Sequence, residues 1–505
     1  MRPDDHIAAT PARAALVVAN ANGATTLDYR RLSQRSRQLA AYWAREGLRE
    51  GDTVAVLLEN RVEAAEIMWA AQRSGLRYTF INHHLLPADV AYIVQDSDAV
   101  CVVTSADLAE SLLPEFPALI RVALCMDRDV SGYARYETIV DAAERIFADA
   151  PAVEGAMMLY SSGTTGRPKG VKYDRPRQRY GEFVAIAELL RDGFGIGPDS
   201  VLLLAGPLYH AAPLSWMGAA QRLGATVIAL DKYDAHTCLQ LISQHGVTHA
   251  LMVPTHFVRL LKLDSEVRAR YSTASLQRVI HAGAPCPVEV KRRMMAWWGP
   301  ILHEFYSSTE ANGFVMIGPH EWLAHPGSVG KVTRGSIRIT DDAGQPMPPG
   351  EPGLIWFESA GVAFSYHKAE DKTRAAYDAQ GRSTVGDIGY VDADGYLYLT
   401  DRKANMIVSG GVNIYPQEIE SLLTLHPDVH DLAVIGTPDE DLGEIVTAVV
   451  VPTPGVAPDE RLAAALSSYC RAHLASFKCP RKVRFVEAVP RTPTGKLLKR
   501  LIALD

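Results

Sequence analysis

The chain has 505 residues, 48% of them hydrophobic and 22% charged, and its 51 Lys+Arg against 58 Asp+Glu leave a formal net charge of -7. Such a length predicts a large domain of several parts with a smaller one attached, and the slightly acidic balance argues against nucleic acid as the main partner. The N-terminal MRPDDHIAAT lacks an apolar stretch with a cleavage site, no run reaches the roughly 18 apolar residues of a membrane span, and the scattered cysteines show neither CxxC pairs nor zinc spacing, so a reduced, cytoplasmic protein with no membrane span is expected.

From about Asp52 to Pro300, short apolar runs alternate with amphipathic stretches. TVAVLLEN precedes VEAAEIMWAAQRSG, TVIAL precedes HTCLQLISQHG, HALMVP precedes THFVRLLKL, and RVIHAGAP precedes VEVKRRMMAWWG. Apolar runs of about four to eight residues separated by helical periodicity predict repeated βα units and largely parallel sheets. Tyr180 and the Trp297-Trp298 pair are expected to pack in this core. After about Pro326 the pattern shortens to GSIRITDDAGQ, GLIWFES and GYVDADGYLYLTD, where DDAG and DADG are turn signals between strand-like segments.

Beyond Asp401, PQEIESLLTLHP reads as a helix, DLAVIG and IVTAVVVP as strands, Asp459 to Leu474 as a second helix and KVRFVEAV as a further strand. The expectation is an α/β protein. Its large N-terminal domain, 1–401, comprises βα-layered subdomains and a β-rich subdomain over about 327–400; a small mobile α+β C-terminal domain, 402–505, is joined to it at DRKAN.

The stretch YSSGTTGRPKG, Tyr160 to Gly170, has the parts of an anion cradle. Gly163 and Gly166 allow tight backbone turns that present N–H groups, Ser161, Ser162, Thr164 and Thr165 supply hydroxyls, and Lys169 adds positive charge. It is not a Walker loop, because Gly170 rather than Ser or Thr follows Lys169 and Pro168 stands where the second glycine belongs. Alone, it reads equally well as a surface loop.

Four further stretches accompany it in order: PLYHAAPL (Pro207 to Leu214), EFYSSTE (Glu304 to Glu310), GDIGYVDADGYLYLTDR (Gly386 to Arg402) and PRTPTGKLLKR (Pro490 to Arg500). Together the stretches resemble the adenylate-forming superfamily, which includes acyl- and aryl-CoA synthetases, luciferases and the adenylation domains of peptide synthetases. The resemblance covers nearly the whole chain. It implies an acid-thiol ligase that uses ATP, Mg²⁺ and CoA, first joining a carboxylate to the α-phosphate and then passing the acyl group to a thiol.

By that resemblance the Ser161 to Gly166 loop would hold the β- and γ-phosphates, supported by Lys169. Glu310, with Thr165, would hold Mg²⁺, and Thr309 would hydrogen-bond the α-phosphate. Tyr306 would stack on adenine opposite Ala282, Gly283, Ala284 and Pro285, Asp387 would accept from the ribose hydroxyls, and Arg402 would help hold the nucleotide. Lys496 would reach the α-phosphate and the carboxylate from the small domain. A rotation of that domain would then withdraw Lys496 and present Ser409, Gly410 and Gly411 to the pantetheine arm, with Lys478 and Arg481 as candidates beside the nucleotide end of CoA. Acetylation of Lys496 would remove its charge and the adenylation step.

The chain departs from the family pattern at two places. Ala404 occupies the hinge position, where Asp or Lys is usual, and Ser307 stands where glycine is common. His210 is read as the swinging gate of the carboxylate site rather than as a structural hydrogen-bonder. The acyl pocket would draw on Tyr209 to Leu214, Thr255 to Phe257 (His256 included), Gly283 and Ser307 to Gly313 (Asn312 included). The small Ala211, Ala212, Pro213 and Gly313 beside Leu214 leave volume for a large apolar acid, fatty or bulky and cyclic. An aryl acid also fits, as does transfer to a carrier protein in place of CoA. Leu214 to Gly218 contains no aspartate for an amino group, which argues against amino-acid activation. A non-catalytic binding homologue and a light-emitting enzyme are the remaining alternatives, and a monomer or homodimer is expected.

Overall fold

A computed structural model describes residues 1–21, 23–112, 119–142, 153–161, 167–174, 178–182, 184–358, 363–491 and 497–502. Its architecture is mixed α/β, with a large N-terminal domain and a smaller C-terminal one. Contacts divide the chain into two compact units: the first is Met1–Leu251, Ser265–Val279 and Val362–Arg374, and the second is Met252–Asp264, Ile280–Gly361 and Ala375–Asp505. The expected 401/402 boundary falls inside the second unit. Among the described residues, no helix is long and apolar enough to cross a membrane, and all six cysteines are free thiols.

The first unit has the parallel strands that the apolar runs predict. One sheet orders Ala134–Arg135, Val122–Met126, Ala99–Ser105, Thr53–Leu57, Arg77–Phe80 and Ala156–Met157, every pair parallel. All five residues of Thr53–Leu57 are buried. That suits a central parallel strand covered on both faces, for which an unbroken apolar run is needed rather than alternation. Ala55, Leu57 and Val102 pack with Val90, Ile93 and Val94 of the helix Pro87–Asp96.

A second group of strands, His249–Met252, Val201–Leu204, Thr226–Leu230 and Ala14–Asn20, is also parallel, and Gly23–Asp28 closes its edge antiparallel. Asn60 fastens the connection that leads to Tyr209. Its Nδ2 donates to Leu230 O at 2.6 Å and its Oδ1 accepts from Leu208 N at 2.8 Å. A third, antiparallel sheet joins Leu159–Ser161, Lys169–Asp174 and Ala363–Tyr366, the last strand returning from far downstream.

In the second unit the turn signals DDAG and DADG separate paired strands as expected. Ser336–Thr340, Gly353–Glu358, Asp387–Val391 and Leu397–Arg402 form an antiparallel sheet. Its core holds Val315, Ile339, Ile355, Phe357 and Leu397. The C-terminal part has a sheet of its own. Val412–Ile414, Ile407–Ser409, Gly443–Pro452 and Val429–Asp439 are antiparallel neighbours, and Lys482–Phe485 lies parallel to Gly443–Pro452. The helices Pro416–Leu423 and Glu460–His473 bury Ile419, Leu423, Leu462 and Leu466 against it. Asp459 caps the second helix by accepting from Leu462 N at 2.9 Å, satisfying one of the helix's unpaired amides.

Candidate active site

A cavity of about 330 Å³ lies within the second unit. Gly283, Ala284 and Pro285 form one wall, and Tyr306, Ser307, Asp387 and Arg402 another. The strand Arg278–His281 ends just before the first wall, and Gly283 at φ +85° turns the chain there in a left-handed conformation that other residues seldom adopt. Tyr306 ends the strand Leu302–Tyr306, while Asp387 and Arg402 face each other across paired strands.

Tyr306 Oη donates to Asp387 Oδ2 at 2.6 Å, and Arg402 Nε lies 3.1 Å from Asp387 Oδ1. Burial, reinforced by the Asp387 carboxylate, raises the Tyr306 pKa well above that of a free phenol, so this hydroxyl stays a donor. A carboxylate oxygen accepts more than one hydrogen bond, so Asp387 keeps acceptor capacity for a ligand hydroxyl. The ring of Tyr306 is therefore fixed by its hydroxyl as well as by packing near Phe357, with centroids 6.0 Å apart.

The segment after Tyr306 is a tight, internally bonded loop. Ser307 Oγ donates to Gly313 O at 2.7 Å, Ser308 Oγ to Asn312 Oδ1 at 2.9 Å, and Ala311 N to Ser308 O at 3.0 Å. Thr309 and Glu310 sit on this loop, and Glu310 is buried with only 8% of its surface exposed. Such a carboxylate, held beside the cavity wall on a braced loop, suits a hard cation that prefers oxygen ligands. Ser307, the departure from glycine, thus spends its hydroxyl on the loop itself.

Gly313 does not leave volume for a substrate, contrary to the sequence expectation. A Cβ at this position would lie 2.2 Å from Phe357 Cδ1, so the Phe357 ring already fills the space. His256 is buried and its Nδ1 accepts from Val253 N at 3.3 Å, bracing the start of the helix Pro254–Leu261, while Thr255 and Val258 line the cavity. Burial pushes the His256 pKa down to about 3. Phe257 packs edge-on to His281 and Trp298.

The remaining expected residues of the large domain, apart from Ala282, lie in the first unit. Ser161 and Lys169 are register partners in adjacent antiparallel strands, and Lys169 Nζ stands 4.7 Å from the Tyr366 ring centroid. Ser162, Gly163, Thr164, Thr165 and Gly166 lie outside the described residues. His210 precedes the helix Ala211–Arg222, with Ala211, Ala212, Pro213 and Leu214 in its first turns, where a proline costs no helical hydrogen bond. The ring of Tyr209 is 4.6 Å from that of His210 and 5.4 Å, edge-on, from that of His83. Tyr209 Oη is buried without a hydrogen-bond partner among the described residues.

In the small domain, Ser409, Gly410 and Gly411 form the turn between Ile407–Ser409 and Val412–Ile414. Gly410 and Gly411 have φ +57° and +80°, the pair of positive values that a two-residue hairpin turn demands, so backbone geometry alone calls for glycine at both. Ala404 lies in the short helical turn Lys403–Asn405. Lys478 Nζ donates to Glu418 Oε2 at 2.6 Å. Lys496 is outside the described residues, while its neighbour Leu497 lines the same cavity as Tyr306 and Asp387.

Two features were not foreseen from sequence. Glu304, which lines the cavity, is buried and accepts from Lys291 Nζ at 2.6 Å, with Lys291 itself fully buried and its ammonium 4.7 Å from the Trp322 ring centroid. Burial raises the Glu304 pKa and Lys291 opposes that rise. The cavity is also lined by Arg259, Lys262 and Asp431, residues that carry no motif, and by Arg491 of the PRTPTGKLLKR stretch.

Comparison with known proteins agrees with this geometry. The family model described as AMP-binding enzyme matches residues 4–367, and that described as AMP-binding enzyme C-terminal domain matches residues 418–496. A feruloyl-CoA synthase of Amycolatopsis sp is 32% identical over 485 residues, 95% of this chain and 94% of the relative. A long-chain-fatty-acid–CoA ligase of Mycobacterium tuberculosis is 30% identical over 486 residues, 94% of this chain and 92% of the relative. Among solved structures, the O-succinylbenzoate coenzyme A synthetase of Bacillus subtilis in complex with AMP superposes with a TM-score of 0.82 at 28% identity, covering 100% of this chain and 98% of that one.

Proposed function

The chain belongs to the AMP-binding enzyme family and is an AMP-forming ligase of the acyl-CoA synthetase kind, and we propose that it activates a large apolar carboxylic acid as its adenylate and transfers the acyl group to CoA. The observation that carries the nucleotide half of this reading is the single cavity walled by Gly283–Pro285, Tyr306, Asp387 and Arg402. It offers an aromatic face, a carboxylate with spare acceptor capacity and a guanidinium within one enclosure.

In the first step a carboxylate oxygen attacks the α-phosphorus of ATP, an O–P bond forms, and pyrophosphate leaves. Both reactants are anionic, so the site must supply cations and oriented donors where charge gathers. Tyr306 would lie against adenine, Asp387 would accept from the ribose hydroxyls, and Arg402 would hold Asp387 in place while adding positive charge. Thr309 would donate to the α-phosphate, and Lys496 would bridge the α-phosphate and the incoming carboxylate. Ser161 to Gly166 with Lys169 would bind the outer phosphates. Glu310, with Thr165, would hold Mg²⁺, which when bound draws charge from the phosphate oxygens.

In the second step the CoA thiolate attacks the acyl carbon, the C–S bond forms, and AMP leaves with the oxygen it shared with the acyl group. His210 would move between the two steps, and Ser409, Gly410 and Gly411 would line the path of the pantetheine arm. Lys478, engaged with Glu418, would need to exchange that partner to meet a CoA phosphate.

The small residues Ala211 and Ala212 at the start of their helix support a large apolar acid, and the fatty-acid ligase among the relatives supports a fatty one. A second reading, an aryl acid, is favoured by the way Phe357 closes the space beside Gly313 and by the feruloyl-CoA synthase. Pyrophosphate release with ATP and Mg²⁺ should be measured across fatty, aryl and bulky cyclic acids, with and without CoA. CoA-dependent turnover confined to fatty acids is expected, and Lys496→Ala should reduce it roughly 10²–10³-fold. Turnover confined to aryl acids selects the second reading, and absence of release with every acid rejects both.

A further inference from the structure

Lys262 follows the helix Pro254–Leu261 and extends to the small domain. Its Nζ donates to Val429 O at 3.0 Å and to His430 O at 2.9 Å. The next residue, Asp431, receives Arg491 in a two-pronged ion pair, with Nε at 2.9 Å from Oδ2 and Nη2 at 2.7 Å from Oδ1, and Arg491 Nη2 also donates to Leu432 O at 3.1 Å. Arg491 in turn forms an antiparallel bridge with Leu497, and Leu498 N donates to Pro490 O at 2.8 Å, so the two ends of the segment that carries Lys496 meet at this point.

We propose that Lys262 is a positioning residue for adenylate formation, acting through Val429–His430 and the Asp431–Arg491 pair to fix the base of the 491–497 segment beside the nucleotide cavity. The inference rests on the two-step reading given above. Lys262, Asp431, Arg491 and Leu497 all line that cavity together with Tyr306 and Asp387.

The small domain has a hydrophobic core to which Lys262 contributes nothing. Its sheet and two helices bury a core of their own, including Ile407, Ile419, Val434, Val450 and Leu466. An ammonium that donates to backbone carbonyls specifies where that domain lies and reads no side chain, so the contact acts on orientation. Charge-assisted bonds of this kind are the strong members of their class. The Arg491 fork on Asp431 is rigid and planar, so a displacement of the 429–431 backbone is passed to the base of the segment.

In the thioester step, which by the reading above follows rotation of the small domain, the Lys262 contact would already be broken. The two half-reactions should therefore respond differently to its loss. A residue that merely supports the fold would affect both alike.

The test compares full-length wild type, Lys262→Ala, Lys262→Arg and Asp431→Asn, using the acid that gives the fastest turnover in the panel. Adenylate formation is read by ATP–pyrophosphate exchange, and the thioester step by CoA-thioester release from synthetic acyl-adenylate. Lys262→Ala and Asp431→Asn should lower the exchange rate constant roughly tenfold, the loss of about one charge-assisted bond at the barrier, while leaving the thioester step at the wild-type rate. Lys262→Arg, which still reaches the carbonyls, should recover most of the exchange rate. Equal losses in both half-reactions, or full exchange activity in Lys262→Ala, overturn the proposal. Absence of exchange in the wild type overturns the carboxylate-activation reading itself, and the inference with it.

Discussion

Tyr306 and Asp387 are joined by a hydrogen bond of 2.6 Å from the Tyr306 hydroxyl to the carboxylate that Arg402 holds from its other oxygen. An aromatic ring expected only to lie flat on a base is thereby pinned at both ends, and the carboxylate expected only to meet a ribose also orients that ring. Asp387→Ala removes both functions and should raise KM for ATP roughly tenfold or more with a smaller fall in kcat, since a buried phenol and a guanidinium lose their common partner. Tyr306→Phe keeps the ring and loses only the tether, so its KM should rise less. Steady-state kinetics at varied ATP with saturating acid and CoA separates the two.

Gly313→Ala should destabilise the fold by about 1–3 kcal/mol, because the added methyl meets the Phe357 ring in a filled space. Phe357→Leu combined with Gly313→Ala should recover part of that loss. Denaturant unfolding of the single and double variants measures it. If Gly313 instead opened on a substrate pocket, Gly313→Ala would leave stability untouched and change only the preferred acid.

The Lys291–Glu304 pair is buried on both sides, and removal of one charge strands the other in a poor solvent. Lys291→Met alone should cost about 3–5 kcal/mol, and Lys291→Met with Glu304→Met should recover most of it. Urea midpoints of the three proteins decide the matter. A single variant as stable as its double would show that the stranded carboxylate costs nothing.

His256 has its pKa lowered to about 3 by burial, against an unfolded value near 6.5. The unfolded chain binds the proton first, so the stability that neutral His256 contributes is complete above about pH 6.5 and is lost as pH falls toward 3. Lowering pH from about 7 to 4.5 should therefore destabilise the wild type more than His256→Gln. Unfolding midpoints of both proteins across that range check the sign, and a parallel decline refutes it.

Much of the fold is legible in the sequence because its causes are local. Unbroken apolar runs such as TVAVL mark strands buried on both faces, and the Gly and Asp turns of DDAG and DADG mark paired strands. The site is legible to the extent that short motifs carry it. Tyr306, Asp387 and Arg402 are assigned to the nucleotide from two stretches, and the fold brings them to one cavity. What escaped reading depends on distant partners. Nothing around Gly313 announces Phe357, nothing around Lys291 announces Glu304, and no pattern near Lys262 names the carbonyls of Val429 and His430. Such contacts arise from tertiary approach and leave no periodic trace.

The strand Lys169–Asp174, paired on one side with Leu159–Ser161, gains its second neighbour only from Ala363–Tyr366. During synthesis that partner emerges roughly 190 residues later, about 10–40 s at ordinary translation speeds. For that interval the nascent chain carries an unpaired β edge, the kind of template on which strands of other chains can add. Ribosome stalling, or a gene cut anywhere between these two strands, would hold the protein in that exposed condition, so chaperone demand during translation should concentrate on this window.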